Sequence, residues 1–270
     1  MHRFWHHVIR PILEAADPAT IVEVGAYRGE NTRNLVDYAR EHGAALHVVD
    51  PAPLFDPAEL LAPAGDRAVF HRTLSLNVLG SIEAPDAVLI DGDHNWFTVI
   101  NELRLLARSS GRAGRAFPLV LLHDVGWPYG RRDLYYEPDR IPDAFRQPVR
   151  RGGLRPETPE LAKTGGLNPH LDHSIYENDL RNGVLTAVED FVSESAEELR
   201  VVTLPGLHGL GLVVAARRLE ERPALAAAVA RLGSAEFLEE HARWVERARV
   251  DVLIESVEQR ARRQAAEQQL

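Results

Sequence analysis

The chain of 270 residues has no cysteine, so it has no disulfide framework, no thiolate zinc site and no cysteine nucleophile. It also lacks any apolar run long enough to span a membrane. Its first residues, His2-Arg3-Phe4-Trp5-His6-His7, have none of the apolar character of a signal peptide, and the expectation is a cytoplasmic protein. Basic residues are in deficit, with a formal net charge of −9, which argues against nucleic acid as a partner because phosphate binding needs a basic surface. The exceptions, Arg131-Arg132 and the arginines from Arg146 to Arg155, are broken by prolines and read as a solvated loop. Composition is otherwise that of a globular protein, 45% hydrophobic and 26% charged. The length suits one large domain or a domain with an extension.

Hydrophobic patterning alternates strand and helix from Thr20 to Asp124. Short runs at 20–24, 46–50, 67–71, 86–91 and 118–123 are rich in Val, Ile and Leu, as strands covered on both faces should be. Segments 31–42 and 95–108 have helical spacing, and Val99, Leu103 and Leu106 share one face of the second. A further helix is expected over 2–16, closed by Asp17-Pro18. A helix opening at Asn182-Gly183 precedes strands 199–204 and 208–215, joined by the turn signal Pro205-Gly206. The expected fold is α/β, a doubly wound, mostly parallel seven-stranded sheet with right-handed crossovers.

Two segments stand outside this pattern. Residues 126–182 are rich in proline, glycine, arginine and aromatics with little periodicity, and read as an ordered lid anchored by Tyr135, Tyr136, Phe145 and Tyr176. From Ser234 the chain reads as a helical extension with a polar end, so that 1–233 forms the domain and 234–270 the extension. That helix either packs on the body and frays, or forms a short coiled coil to a second subunit or a partner enzyme.

Ligands of an open α/β sheet bind at the carboxyl ends of its strands. The first strand ends in Glu23-Val24-Gly25-Ala26-Tyr27-Arg28-Gly29-Glu30. Two glycines four residues apart are not the close-set glycines that cradle a pyrophosphate, which disfavours an NAD-linked oxidoreductase. Glu23 and Glu30 flank the turn, repel phosphate and suit a ligand with positive charge, such as the sulfonium and ammonium of S-adenosylmethionine. Asp50, at the end of the second strand, is placed for ribose hydroxyls, and Thr73-Leu74-Ser75 after the third provides an edge for adenine. Asp91-Gly92-Asp93-His94 and His123-Asp124 end the fourth and fifth. Carboxylates crowded in this way repel one another unless protons or a cation intervene. A divalent ion such as Mg²⁺ relieves the repulsion, and His123 as a ligand shifts the preference toward Mn²⁺. A metal-free Asp–His hydrogen-bond network is the alternative.

These motifs together resemble class I S-adenosylmethionine-dependent methyltransferases. More narrowly they resemble bacterial metal-dependent O-methyltransferases of natural-product sugars (the macrocin and novobiocin type) and the cephalosporin-hydroxylase-like group. The resemblance covers about residues 20–125 and 199–216. It implies that Glu23, Gly25, Tyr27 and Gly29 hold the methionine part of the cofactor, that Asp50 binds ribose, and that Ser75 lies near adenine. It implies that Asp91 serves both cofactor and metal, with His123 and Asp124 at positions where the family has Asp-Asp or Asp-Asn. Asp93, or failing it His94, takes the place of the general base. The implied acceptor is a small, sugar-containing molecule, with Trp127, Tyr129 and Tyr135 as stacking surfaces. Two other functions fit the same residues: a metal-independent methyltransferase with an Asp/His base, and a non-catalytic partner of a glycosyltransferase.

Overall fold

A computed structural model describes residues 1–267. The last three residues of the expected helical extension, 268–270, lie outside the described residues. The chain divides into two compact units, Met1–Ala228 and Val229–Leu270.

The first unit is built on seven strands: β1 Thr20–Val24, β2 Ala45–Val49, β3 Ala68–His71, β4 Ala87–Ile90, β5 Leu119–His123 and, after an insertion carrying the short strands β6 to β10, β11 Leu199–Leu204 and β12 Leu210–Ala215. Their order is β11-β12-β5-β4-β1-β2-β3. β1 to β5 pair in parallel, whereas β12 runs antiparallel to both β5 and β11. The strand order reverses direction at β1 and β4, so a crevice opens beyond their carboxyl ends.

The residues of each strand alternate between the two sheet faces. Val22, Val24, Val88, Ile90, Val120 and Leu122 join one core cluster with α5 (Trp96–Arg112) and α6 (Val184–Glu194). α1 (Arg10–Ala16) and α2 (Glu30–His42) pack together outside this cluster: Ile12, Leu13, Leu35 and Tyr38 are buried, and the Tyr38 hydroxyl donates to the Leu13 carbonyl. The expected helix at the N-terminus is regular only from Arg10. Residues 2–9 form 3₁₀ and π turns, and Asp17 ends the helix in the left-handed region at φ 46°. Short helices α3 (Pro57–Leu61) and α4 (Ser75–Val78) flank β3, and α7 (Ala216–Glu221) follows β12.

The insertion is ordered by its own pairings. β6 (Leu134–Tyr135), β7 (Val149–Arg151) and β10 (Asp172–Ser174) form an antiparallel sheet in the order β6-β10-β7, while β8 (Gly153–Arg155) pairs with β9 (Thr158–Ala162). Tyr129, Leu134, Leu154 and Leu161 make a small core of its own. The arginines expected to be a solvated loop are in part structural. Arg132 is 1% exposed and donates to the carbonyls of Ser174 (2.6 Å) and Pro159 (2.5 Å) and to Glu177 (3.1 Å). A fork of donors on one rigid guanidinium satisfies two backbone carbonyls, of β10 and β9, and one loop carboxylate, a convergence that no periodicity in the sequence reveals. Asp133 beside it is fully buried and accepts from the Trp96 and Gly183 amides and the Tyr135 hydroxyl, pinning the insertion to the start of α5.

The second unit contains the end of α8 (Pro223–Arg231) and all of α9 (Ala235–Glu267). Within it Arg231 pairs with Glu240 at 2.6 Å and lies over the Phe237 ring. Val250, Leu253, Ile254 and Val257 are exposed on α9.

Candidate active site

Strand register assembles the site. Val24 is level with Val49 on one side and Ile90 on the other, and Ile90 is level with Leu122. The next residues, Gly25, Asp50, Asp91 and His123, therefore emerge side by side from four neighbouring strands. Gly25 is required by both conformation and space: its φ is +84°, and a Cβ there would meet the Asp91 carbonyl oxygen at 2.3 Å. The turn is then stapled by Asp50. Its Oδ2 accepts from the Ala26 and Tyr27 amides at 2.8 and 2.9 Å, and its Oδ1 accepts from the Ala52 amide at 2.7 Å. Asp50 also borders the cavity described below, so the carboxylate that shapes the turn is at the same time part of the cavity wall.

Two residues assigned to the cofactor from sequence face elsewhere. Glu23 is 1% exposed, and its two oxygens accept from the Asn31 amide (2.8 Å) and the Thr32 hydroxyl (2.7 Å) of α2. Burial pushes its carboxyl up to about 7 against those two hydrogen bonds. Period-two alternation turns it away from the crevice, where it ties β1 to α2. Gly29, at φ +76°, opens α2, and its open side meets Leu60 and Phe55 rather than the cavity. Gly29 is not among the residues that line the cavity described below.

A cavity of about 460 Å³ lies over the crevice. Gly25, Tyr27, Asp50, Ser75, Asp91 and Asp93 all reach its wall, which brings six of the sequence candidates together. The insertion closes the other side with Tyr135, Tyr136, Glu137, Arg140 and Ile141. Of the three expected stacking aromatics, only Tyr135 reaches the wall. Tyr129 is 4% exposed and stacks between His94 and His173, and Trp127 lies outside the cavity. Tyr136 is the half-exposed aromatic that the insertion brings to the wall, where Tyr27 of the glycine turn is similarly exposed.

Behind Asp91 lies a compact Asp–His cluster. Asp91, His123 and Asp124 each place one ligand-type atom within 4.8 Å of the others. His123 Nδ1 is 2.8 Å from Asp124 Oδ2 and 3.2 Å from Asp91 Oδ1, while Nε2 donates to the Leu207 carbonyl at 3.0 Å. Burial opposes a charge on His123, but the Asp91 and Asp124 carboxylates outweigh it and push the ring up to about 9. Asp91 and Asp124 lie in turn below the ordinary carboxylate range despite their burial, held there by the two histidines. The first backbone nitrogen of the chain lies 2.8 Å from Asp91 Oδ2. His94 Nε2 is 3.0 Å from Asp124 Oδ2, an ion-pair contact, and has no hydrogen-bond partner among the described residues. His94 Nδ1 lies 3.4 Å from the Tyr136 hydroxyl.

The two candidates for general base thus separate. His94 is buried away from the wall, whereas Asp93 reaches it, accepts from the Thr98 hydroxyl at 3.0 Å and is raised by burial. Sequence reading also passed over Glu102, although a signal was present. Glu102 falls three residues after Val99 and one before Leu103, an acid on the apolar stripe of α5, and it is fully buried against Ser75. Tyr136 and Arg140 carried no such signal, because only the folding of the insertion turns them inward.

No family model matches the chain, and no curated protein matches it. Among solved structures, a Podospora anserina methyltransferase with bound S-adenosylhomocysteine is 17% identical, with 76% of each chain covered and a TM-score of 0.45. The 1,6-didemethyltoxoflavin N1-methyltransferase of Burkholderia thailandensis is 18% identical over 76% of this chain and 77% of that one, with a TM-score of 0.40. The mycinamycin-pathway methyltransferase MycE, in complex with Mg, S-adenosylhomocysteine and mycinamycin VI, is 13% identical, with a TM-score of 0.39; 80% of this chain covers 48% of it. These likenesses are too distant to assign an activity. The strand order itself, with its one antiparallel strand β12 inserted between β5 and β11, is that of a Rossmann-like, doubly wound and mostly parallel sheet.

Proposed function

We propose that the chain is an S-adenosylmethionine-dependent O-methyltransferase acting on a hydroxyl of a sugar or other small natural-product-type acceptor. The observation that carries this reading is the wall of the cavity at the strand reversal: a glycine turn and the carboxylates Asp50, Asp91 and Asp93, with no cradle for a pyrophosphate. An acidic, half-enclosed wall favours a cationic ligand over a nucleotide phosphate. The cofactor supplies an electrophilic methyl group. Gly25 and Tyr27 border its methionine part, Asp50 its ribose and Ser75 its adenine. Asp93 is the group placed to take the proton of the acceptor hydroxyl, and its raised pKa suits it to that task. Tyr136 and Arg140 present the insertion's face to the acceptor, where alignment with the methyl group dominates the rate. The expected result is that S-adenosylhomocysteine raises the thermal midpoint and NAD does not; stabilisation by NAD alone would overturn the reading.

Asp91, His123 and Asp124 fit a divalent cation by donor chemistry. The Leu207 carbonyl fixes a proton on His123 Nε2 and turns Nδ1 toward both carboxylates, the orienting bond that a histidine ligand ordinarily has. A cation held there would lower the pKa of an acceptor hydroxyl. It would have to displace the Nδ1 proton, which the raised pKa of His123 resists. Mn²⁺ affinity, followed by electron paramagnetic resonance, is therefore expected to rise between pH 7 and pH 9 as His123 gives up its proton. The second reading, a metal-free Asp–His network, rests on the same ring being satisfied on both nitrogens as an imidazolium. Methyl transfer that survives EDTA would decide for it.

A further inference from the structure

Ser75 begins α4 and is one of the residues that line the cavity. Its hydrogen-bond partner lies on the other side, behind the wall: Oγ is 2.5 Å from Glu102 Oε1. Glu102 is 0% exposed on the buried face of α5, and its second oxygen, Oε2, has no hydrogen-bond partner among the described residues. A carboxylate with one oxygen wholly unpartnered in such a place is costly, and the acid form relieves it. Burial pushes Glu102 up to about 8 against the Ser75 hydrogen bond, with Asp93 adding to the rise and His94 opposing it.

The acid form also has a preferred place for its proton. On Oε2 the proton would meet no acceptor, whereas on Oε1 it meets Ser75 Oγ. The Glu102 O–H then donates to Ser75, and the Ser75 hydroxyl proton is left free to turn into the cavity. An ionised Glu102 reverses this, because it can only accept and so draws the Ser75 proton back behind the wall.

We propose that Glu102 is a positioning residue which, as the neutral acid, presents Ser75 as a hydrogen-bond donor to a ring nitrogen of the cofactor's adenine. This rests on the cofactor reading given above. Adenine ring nitrogens are acceptors, so they reward a donor at Ser75 and gain nothing from an acceptor there. The role differs from plain structural support because it depends on which atom carries one proton.

The test is calorimetric titration of the full chain with S-adenosylhomocysteine at pH 7 and pH 9, for wild type, Glu102→Gln and Glu102→Leu. Between those values wild type is expected to lose about tenfold in affinity relative to Glu102→Gln, as Glu102 ionises. The glutamine amide cannot ionise and still offers an N–H to Ser75 Oγ, so it rescues at pH 7 the binding that leucine loses. The comparison with Glu102→Gln cancels the titration of the Asp–His cluster, which both proteins share. Parallel pH profiles for wild type and Glu102→Gln would overturn the role of Glu102 and leave the cofactor reading standing. Absence of S-adenosylhomocysteine binding by wild type at either pH would overturn both. Should Glu102→Leu fail to fold, the wild-type and glutamine profiles still decide.

Discussion

Asp91→Asn is expected to lower methyl transfer by about a thousandfold or more while leaving the chain folded, because Asp91 alone belongs to both the cavity wall and the Asp–His cluster. Asparagine keeps the shape and removes the charge. Without that charge His123 loses one of the two carboxylates that outweigh its burial, so its pKa falls from about 9 toward the ordinary histidine range. The measurements are single-turnover methyl transfer, the thermal midpoint, and a ring-nitrogen NMR titration of His123. An activity within tenfold of wild type would remove Asp91 from the reacting centre, whatever the identity of the acceptor. A fallen pKa with intact activity would show that the cluster is structural.

Gly25→Ala carries the largest expected effect on stability. The alanine must hold φ near +84° and place its Cβ 2.3 Å from the Asp91 carbonyl, a backbone atom that cannot swing aside. Left-handed strain and overpacking together are expected to cost about 3 kcal/mol or more. For a chain of this size that corresponds to a fall of about 6–12 °C in the thermal midpoint. Gly114→Ala is the matched control: φ is +64° there too, but a Cβ would meet nothing within 4 Å. It should lose only the backbone component, about 1 kcal/mol. Equal losses in the two variants would show that close approach of β1 and β4 is not what requires glycine at position 25.

The sheet was legible in the sequence because its central strands β4, β5 and β12 are buried along almost their whole length and so read as apolar runs, while the edge strands β3 and β11 were still marked by their β-branched and aromatic residues. Expected strands 20–24, 118–123 and 199–204 match β1, β5 and β11 to within one residue at either end. Asp50 and Asp91 were legible as the first polar residues after apolar runs, and Asp93 follows two positions after Asp91. Glu23 lies inside such a run, and its two carboxylate oxygens are engaged by α2. Gly29 belongs to a spacing motif, which records that a turn exists but not which neighbours pack on each side of it.

The amino-acid sequence by itself determined the strands, their flanking helices and the ring of acids at the strand ends, since these follow from local burial and short-range periodicity. Only the tertiary structure decided which of those acids share a cavity, because that depends on register between strands far apart in the chain. It alone turned Tyr136 and Arg140 of the insertion toward the site, buried Tyr129 between two histidines, and set Glu102 behind Ser75. Each of these is a contact between distant segments, and no local pattern of residues encodes it.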